Sequence, residues 1–572
     1  MTDAAYDPFN PLAGEPTTVY GALCASAQRF PDQAMLVVPS HTAAVYGVAA
    51  GEISYAQAVA LVDSLADAYR RAGWRSGSRV GLLVENRPVF FWHWLALNAL
   101  GISVVPINAD FRDAELQYLI GDARLALVVA LPSHHARLHA AAQALQHPLL
   151  VSEPDLAATP PVAPDSDSDL GESPVATEAP GLATECALLY TSGTTGDPKG
   201  CILPNEYYLY AGVSYREAGG VIPVTPGRER LLSPLPLVHM NAMACSSVAM
   251  ILTGGAIVLV DRFHPSTWWE TVRESKATII HYLGVMPAIL MRMPASSADR
   301  DHHVRFGFGA GVSRTDHQAF EERFGFPLME GWAMTETGMG GVIMATHEPR
   351  KIGTACFGKT PVGLESRIVG DDGKLCGPNE PGELQVRRAG ADPSFGFFKG
   401  YLNKPEATRE AWADGWFHTG DIVLVDEDGD HHFIDRRKNV IRRSGENIAA
   451  VEVEAVLMQH EAVAACGVAP VPDEIRGDEV MACVTLTAAA RQLDAAALAQ
   501  DMMSFCQARL AYYKAPGYIA FIDDLPLTAT QKMKRGELKT IALACMAQAG
   551  GASSGGPASV CFDLRNLKKR DA

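Results

Sequence analysis

The sequence predicts an α/β protein: a large N-terminal domain of α/β subdomains with a β-rich part, followed by a small α+β C-terminal domain. Three observations lead there. Short β-branched runs alternate with longer helical patterns from Arg79 onward, the signature of βαβ units and a mostly parallel sheet. The 572 residues exceed the roughly 250–300 at which one hydrophobic core stops growing. At Asp435–Asn439 the charged run DRRKN interrupts the apolar pattern, and a compact unit of different composition comes after it.

The elements read in order as a strand (VGLLVEN), an apolar helix over Pro88–Leu100, a strand (ISVVPIN), a helix near Asp113–Ile120 and a strand (LALVVAL). Ser152–Glu185 is rich in Pro, Asp, Ser, Ala and Thr and cannot repay its ordering entropy, so it reads as a loop. A second α/β stretch runs from Cys186 to about Thr346, and Gly- and Pro-rich β segments lead on to Asp435. Beyond the break come a helix carrying Val451, Val453, Val456, Leu457 and His460, the strands GVAPV and MACVTLT, and an Ala-rich helix near Leu493–Leu510. From about Gly550 the chain is Gly/Ser/Pro-rich and then basic, the composition of a mobile tail. The domains expected are therefore 1–436, 437–549 and a flexible tail over 550–572.

Composition excludes several classes. Hydrophobic residues at 48% and charged residues at 20% match globular chains, which rules out wholesale disorder. A net charge of −17 repels phosphate backbones and no basic, aromatic-interleaved stripe offsets it, so nucleic acid is not an expected partner. Met1–Gly14 lacks the basic start of a secretory signal, and no apolar run nears the roughly 20 residues that span a bilayer. A cytoplasmic protein without membrane partners is expected. Eleven cysteines without a CxxC pair suit buried thiols rather than disulfides or zinc. His134/His135, His302/His303 and His431/His432 lack the spacing of a metal site. Gly551–Gly555 (GASSG) fits a nucleophile elbow only formally, since it lies in the tail with no strand before it.

The strongest motif is YTSGTTGDPKG at Tyr190–Gly200, directly after a strand-like run. Gly193, Gly196 and Gly200 let backbone N–H groups turn inward. Thr191, Ser192, Thr194 and Thr195 add hydroxyls, and Lys199 adds a point charge, a nest suited to a polyphosphate. The Walker pattern is not met, because Pro198 precedes Lys199 and Gly200 follows it.

This segment resembles the signature of the adenylate-forming superfamily of acyl-CoA synthetases, luciferases and peptide-synthetase adenylation domains. Later motifs occur in the family's order. In GWAMTETG (Gly331–Gly338), Trp332 and Ala333 stand for the usual Tyr and Gly. The resemblance implies that Trp332 stacks on adenine, Thr335 holds the α-phosphate and Glu336 holds Mg²⁺. In DGWFHTGD, Asp421 corresponds to the carboxylate that accepts both ribose hydroxyls; Arg436 follows as a ribose- and phosphate-binding arginine and Lys438 as the hinge of a mobile C-terminal domain. RSGENIAAVEVE implies that Gly445 lines the pantetheine tunnel of coenzyme A, and PLTATQKMKR offers Lys532 as catalytic lysine, with Gln531 replacing the common Gly. His239 falls at the acyl-pocket position, and Gly309-Ala310-Gly311 resembles the segment that passes between adenine and the acyl group.

Within the superfamily, the block from His239 to Trp269 and the run from VDEDGD to RSGEN are most similar to the carnitine/crotonobetaine-CoA ligase group. The resemblance implies an AMP-forming acyl-CoA synthetase (an acid–thiol ligase) that uses ATP, Mg²⁺ and coenzyme A on a small carboxylic acid. An enzyme loading a carrier-protein pantetheine, a luciferase-type oxygenase and a non-catalytic nucleotide-binding protein remain open, as does a homodimer.

Overall fold

The computed structural model describes residues 6–156, 159–164, 179–191, 198–312, 316–370, 372–436, 441–448, 450–526, 533, 535–549 and 560–568. It is mixed α/β, with two compact units: one comprises 1–109, 120–190 and 200–434, the other 110–119, 191–199 and 435–572.

Two sheets dominate the larger unit. A six-stranded sheet runs in the order 150–152, 127–130, 79–83, 103–106, 185–191 and 199–204, and its first five strands pair in parallel. Those strands are nearly continuous apolar runs, as burial on both faces of a parallel sheet requires. Pro88–Ala99 covers it as a helix with proline at its first turn and nine consecutive buried residues, Phe90–Asn98. A helix apolar all round must be buried all round. Tyr55–Arg71 is amphipathic instead, and Ser54 and Gln57 close its start in a reciprocal capping box.

The eight-stranded sheet runs 343–344, 328–332, 306–310, 279–283, 230–233, 256–259, 34–38 and 51–54. Its central pairings are parallel and its two edge pairings antiparallel. Parallel strands deliver their C-terminal loops to one rim, where open α/β sheets bind ligands. Gly309-Ala310-Gly311 and the segment after Trp332 lie at that rim. An antiparallel five-stranded sheet adds 356–358, 431–436, 417–425, 382–388 and 364–369, the β-rich part read from the sequence.

In the smaller unit, an antiparallel pair 463–473/477–486 is extended by the parallel strand 518–521 and by the hairpin 441–443/446–448. Helices Ala450–Leu457 and Ala495–Gln507 supply one core with Val453, Leu457, Leu498 and Met502; Arg535–Ala549 covers the other face with Leu538 and Ala542. Residues 560–568 correct the expectation of a flexible tail. Val560–Asp563 pairs antiparallel with 518–521, and Leu564 is buried in the core. A short apolar run, VCF, suffices for an edge strand once a sheet edge is available, which tail composition does not reveal.

None of the eleven cysteines is in a disulfide, and eight of them are buried. Among the described residues no helix is long and apolar enough to cross a membrane.

Candidate active site

The rim of the eight-stranded sheet meets the five-stranded sheet within the larger unit, and several sequence-selected residues come together there. Trp332 ends its strand at 6% exposure, and its indole N–H donates to Asp421 Oδ2 at 2.8 Å. Asp421, 1% exposed, sits in the strand Phe417–Val425, where its backbone N–H donates to Thr419 Oγ1. The residue expected to face adenine and the one expected to face ribose are thus directly joined. A Tyr at position 332 would carry its polar atom at the ring tip; Trp places an N–H donor on the ring edge and turns it to the carboxylate.

Four residues along, Glu336 is 7% exposed and its Oε1 accepts from Tyr401 Oη at 2.8 Å. Burial and the adjoining Glu336 charge hold the Tyr401 phenol far above its ordinary range, so it stays a neutral donor. A neutral donor orients the carboxylate without cancelling its charge. That donor chemistry, a carboxylate oxygen with a threonine next to it in sequence, fits a hard divalent cation such as Mg²⁺. Thr335 is anchored through its carbonyl, which accepts from Tyr207 Oη at 3.0 Å.

Gly309 is paired with Tyr282 on one side and Glu330 on the other. A Cβ on Gly309 would stand 2.2 Å from the Tyr282 carbonyl oxygen, so only glycine allows this strand spacing. Beyond Ala310, the N–H groups of Gly311 and Val312 both donate to Glu330 Oε1, at 3.0 and 3.1 Å. Glu330 is 7% exposed, and burial raises its carboxyl above the usual range.

His239 is half-buried in the turn before Asn241–Ser246, a π-helical segment that runs into the helix Ser247–Thr253. Ser246 Oγ and Ser247 Oγ bond back to the carbonyls of Asn241 and Ala242, five residues earlier. His281 pins the segment. Its Nδ1 lies 2.9 Å from Asn241 Oδ1 and 2.8 Å from Ser246 Oγ, and its Nε2 lies 3.0 Å from Tyr215 Oη. Complete burial pushes this imidazole down to about 3, so it is neutral.

Thr191 ends the strand Glu185–Thr191, and its Oγ1 donates to the Lys199 carbonyl at 3.4 Å; Lys199 opens the next strand. Ser192, Gly193, Thr194, Thr195 and Gly196 lie outside the described residues, as do Lys438 and Lys532. Arg436 closes the strand His431–Arg436, with its side chain also outside them. Gly445 occupies the turn of the hairpin 441–443/446–448 at φ +89°, after Ser444 at φ +51°.

Sequence reasoning missed Glu330, Tyr401, Tyr207 and His281. A lone carboxylate in the apolar run LMEGW was the one available signal for Glu330; the other three gain meaning only from their partners. The clusters His41/Asp261/His264 and Asp426/Asp428/Asp430 could ligate a metal, yet Asp261 is paired with His264 and the second group with Lys351.

The rim of a parallel sheet thus gathers Trp332, Asp421 and Glu336, the arrangement that an α/β enzyme presents to a ligand. The chain belongs to the AMP-binding enzyme family, whose profile matches residues 25–402, and the C-terminal domain profile of AMP-binding enzymes matches 452–532. It is similar to the crotonobetaine/carnitine–CoA ligases of Salmonella paratyphi A and Salmonella typhi, 29% identical over 496 residues, covering 85% of this chain and 93% of each relative. Among solved structures it resembles o-succinylbenzoate-CoA synthetase from Bacillus subtilis (TM-score 0.76, 24% identity, 91% of this chain and 98% of that one). A fatty acyl-CoA synthetase from Mycobacterium tuberculosis gives a TM-score of 0.62 at 25% identity, covering 92% and 98%. The protein is an ATP-dependent, AMP-forming acid–thiol ligase of the acyl-CoA synthetase class.

Proposed function

We propose that this ligase activates a short carboxylic acid bearing a polar or cationic group, of the crotonobetaine or carnitine type, and passes the acyl group to the thiol of free coenzyme A. The similarity to the Salmonella ligases along 85% of the chain supports the substrate class. The observation that carries the site reading is the Trp332–Asp421 hydrogen bond beside the Glu336 carboxylate.

In the first half-reaction a carboxylate oxygen attacks the α-phosphorus of ATP; the new O–P bond forms as the bond to pyrophosphate breaks. Trp332 offers its face to adenine, Asp421 accepts the ribose hydroxyls with Arg436 alongside, and Thr335 donates to the α-phosphate. The loop from Thr191 to Lys199 cradles the outer phosphates. Bound Mg²⁺, held by Glu336, would offset phosphate charge. Lys532 supplies the mobile cation for charge that develops in the transition state, a contact commonly worth about 10²–10³-fold. Gly309-Ala310-Gly311 separates adenine from the acyl group, and His239 faces the acyl chain. In the second half-reaction the CoA thiolate attacks the acyl carbonyl, a C–S bond forms and AMP leaves. Lys438 serves as the hinge between the two steps, and Gly445 gives the pantetheine arm room.

A panel of acids, including crotonobetaine, carnitine and neutral four-carbon acids, assayed for pyrophosphate release with and without CoA tests the substrate class. Preference for the trimethylammonium acids with thioester formed on free CoA is expected; activity confined to neutral acids, or to a carrier-protein acceptor, overturns it. Lys532→Ala is expected to abolish pyrophosphate release yet largely spare thioester formation from supplied acyl-AMP. Equal loss of both steps removes the assigned role.

A further inference from the structure

The C-terminal family profile ends at residue 532, but the chain continues, and residues 560–568 are built into the smaller unit. Val560–Asp563 extends the sheet beside Tyr518–Phe521, and Phe562 packs on Phe521 with ring centroids 5.8 Å apart. Leu564 N–H then donates to the Gly517 carbonyl, and Gln507 Nε2 donates to the Leu567 carbonyl. These contacts deliver Lys568 inward. Its side chain is 1% exposed, and Nζ donates to Glu479 Oε1 at 2.5 Å and to the Tyr513 carbonyl at 3.3 Å.

Glu479 is the shared partner. Its side chain is fully buried, and both its oxygens accept from Arg443 Nε, at 3.0 and 2.8 Å. The carboxylate lies so close to Gly517 that a Cβ there would stand 2.4 Å from Glu479 Cδ. Arg443 is the last residue of the first hairpin strand, bridged to Gly477, and Ser444 N–H donates to the Arg476 carbonyl. The turn residues Ser444 and Gly445 follow at once, both at positive φ, the pattern of a type I′ turn. A chain of contacts thus runs from the C-terminal segment through one buried carboxylate to the base of the Gly445 turn.

We propose that residues 560–568 act as a clasp that positions the Gly445 hairpin for thioester formation, with Lys568 as the positioning residue acting through Glu479 and Arg443. The clasp rests on the proposed acyl-CoA ligase function and deepens it, since it serves the CoA step. The physical basis is a buried polar cluster: Glu479 is held by Arg443, Lys568 and the Val480 N–H, and although burial pulls the Lys568 amine down to about 7 it donates to the carboxylate in either form, a grip that restrains Arg443 and the turn after it. With Lys568 removed, Glu479 keeps Arg443 and the Val480 N–H but loses its lysine anchor, and the turn gains freedom.

The test compares full-length wild type with Lys568→Met, Lys568→Arg and a chain ending at Asp563, which keeps the strand but loses the hook. Amide hydrogen exchange over 441–448 is expected to accelerate about 10-fold in Lys568→Met and in the shortened chain, and to return toward wild type in Lys568→Arg. With crotonobetaine as probe acid, pyrophosphate release should hold within about twofold while CoA-dependent thioester formation falls about 10-fold. Unchanged exchange at 441–448, or acceleration spread evenly over 441–568, overturns the clasp, as does a parallel fall of both half-reactions. If crotonobetaine supports no pyrophosphate release, the substrate reading fails while the exchange measurement still decides the clasp.

Discussion

At the residue scale, the pairing of Trp332 with Asp421 bears on the proposal that tryptophan serves where the family uses tyrosine. The indole N–H reaches Asp421 at 2.8 Å, so the ring edge orients the carboxylate. Trp332→Phe keeps the face and deletes the donor. A hydrogen bond to a charged group is worth about 1.5–3 kcal/mol, so AMP affinity measured by titration calorimetry should fall roughly 10-fold or more; unchanged affinity would show that the bond contributes nothing to the site. Glu330 works on backbone rather than on a ligand, holding the N–H groups of Gly311 and Val312 through one oxygen. Glu330→Gln retains an acceptor, whereas Glu330→Ala leaves two donors without it. The alanine variant should lose about 10-fold in kcat/KM and the glutamine variant far less; equal losses would mean that the charge, not the acceptor, matters. The role of Glu330 was not legible in the sequence, because a carboxylate in an apolar strand gives no sign of which N–H groups will face it.

At the element scale, the π-helical segment Asn241–Ser246 adjoins His239 and is locked to the strand Ile279–Leu283 by His281. Widened helical turns of this kind concentrate at functional sites. The lock also predicts an acid response. Burial pushes His281 to about 3 and His93 to about 4, both below the unfolded value of about 6.5. Between those limits the unfolded chain takes up the proton first, so these sites leave stability intact above pH 6.5 and reduce it as pH falls. The slope is about 1.4 kcal/mol per pH unit for each histidine. His281→Asn carries no such proton, so its stability deficit relative to wild type, followed by thermal unfolding, should narrow from pH 7 to pH 5; a constant deficit would refute the neutral buried imidazole. Helices and strands were readable where pattern alone decides them: Pro88–Ala99 and Leu127–Ala130 follow from apolar run length. The π segment was not, because its extra residue per turn is imposed by Ser246, Ser247 and His281 together.

At the scale of the whole molecule, the chain builds separate cores, one set around the two large sheets and another around Leu457, Val468, Val484 and Met502. Trp332, Glu336 and Asp421 all belong to the larger unit. Calorimetry of the full chain should therefore resolve two transitions, with AMP raising that of the larger unit more than that of the smaller; a ligand at 100 times its Kd adds about 2.7 kcal/mol. One transition moving as a single block would contradict this.

The sequence by itself determined the α/β class, the order of the motifs and the family, because those depend on local hydrophobic period, turn chemistry and spacing, all of which are written along the chain. Tertiary structure alone decided that an indole 89 residues away would bond Asp421, that Tyr401 would orient Glu336, and that Lys568 would enter a buried polar cluster at Glu479. Each of these joins groups distant in sequence, and burial strengthens and fixes such polar contacts only after the fold has excluded water around them.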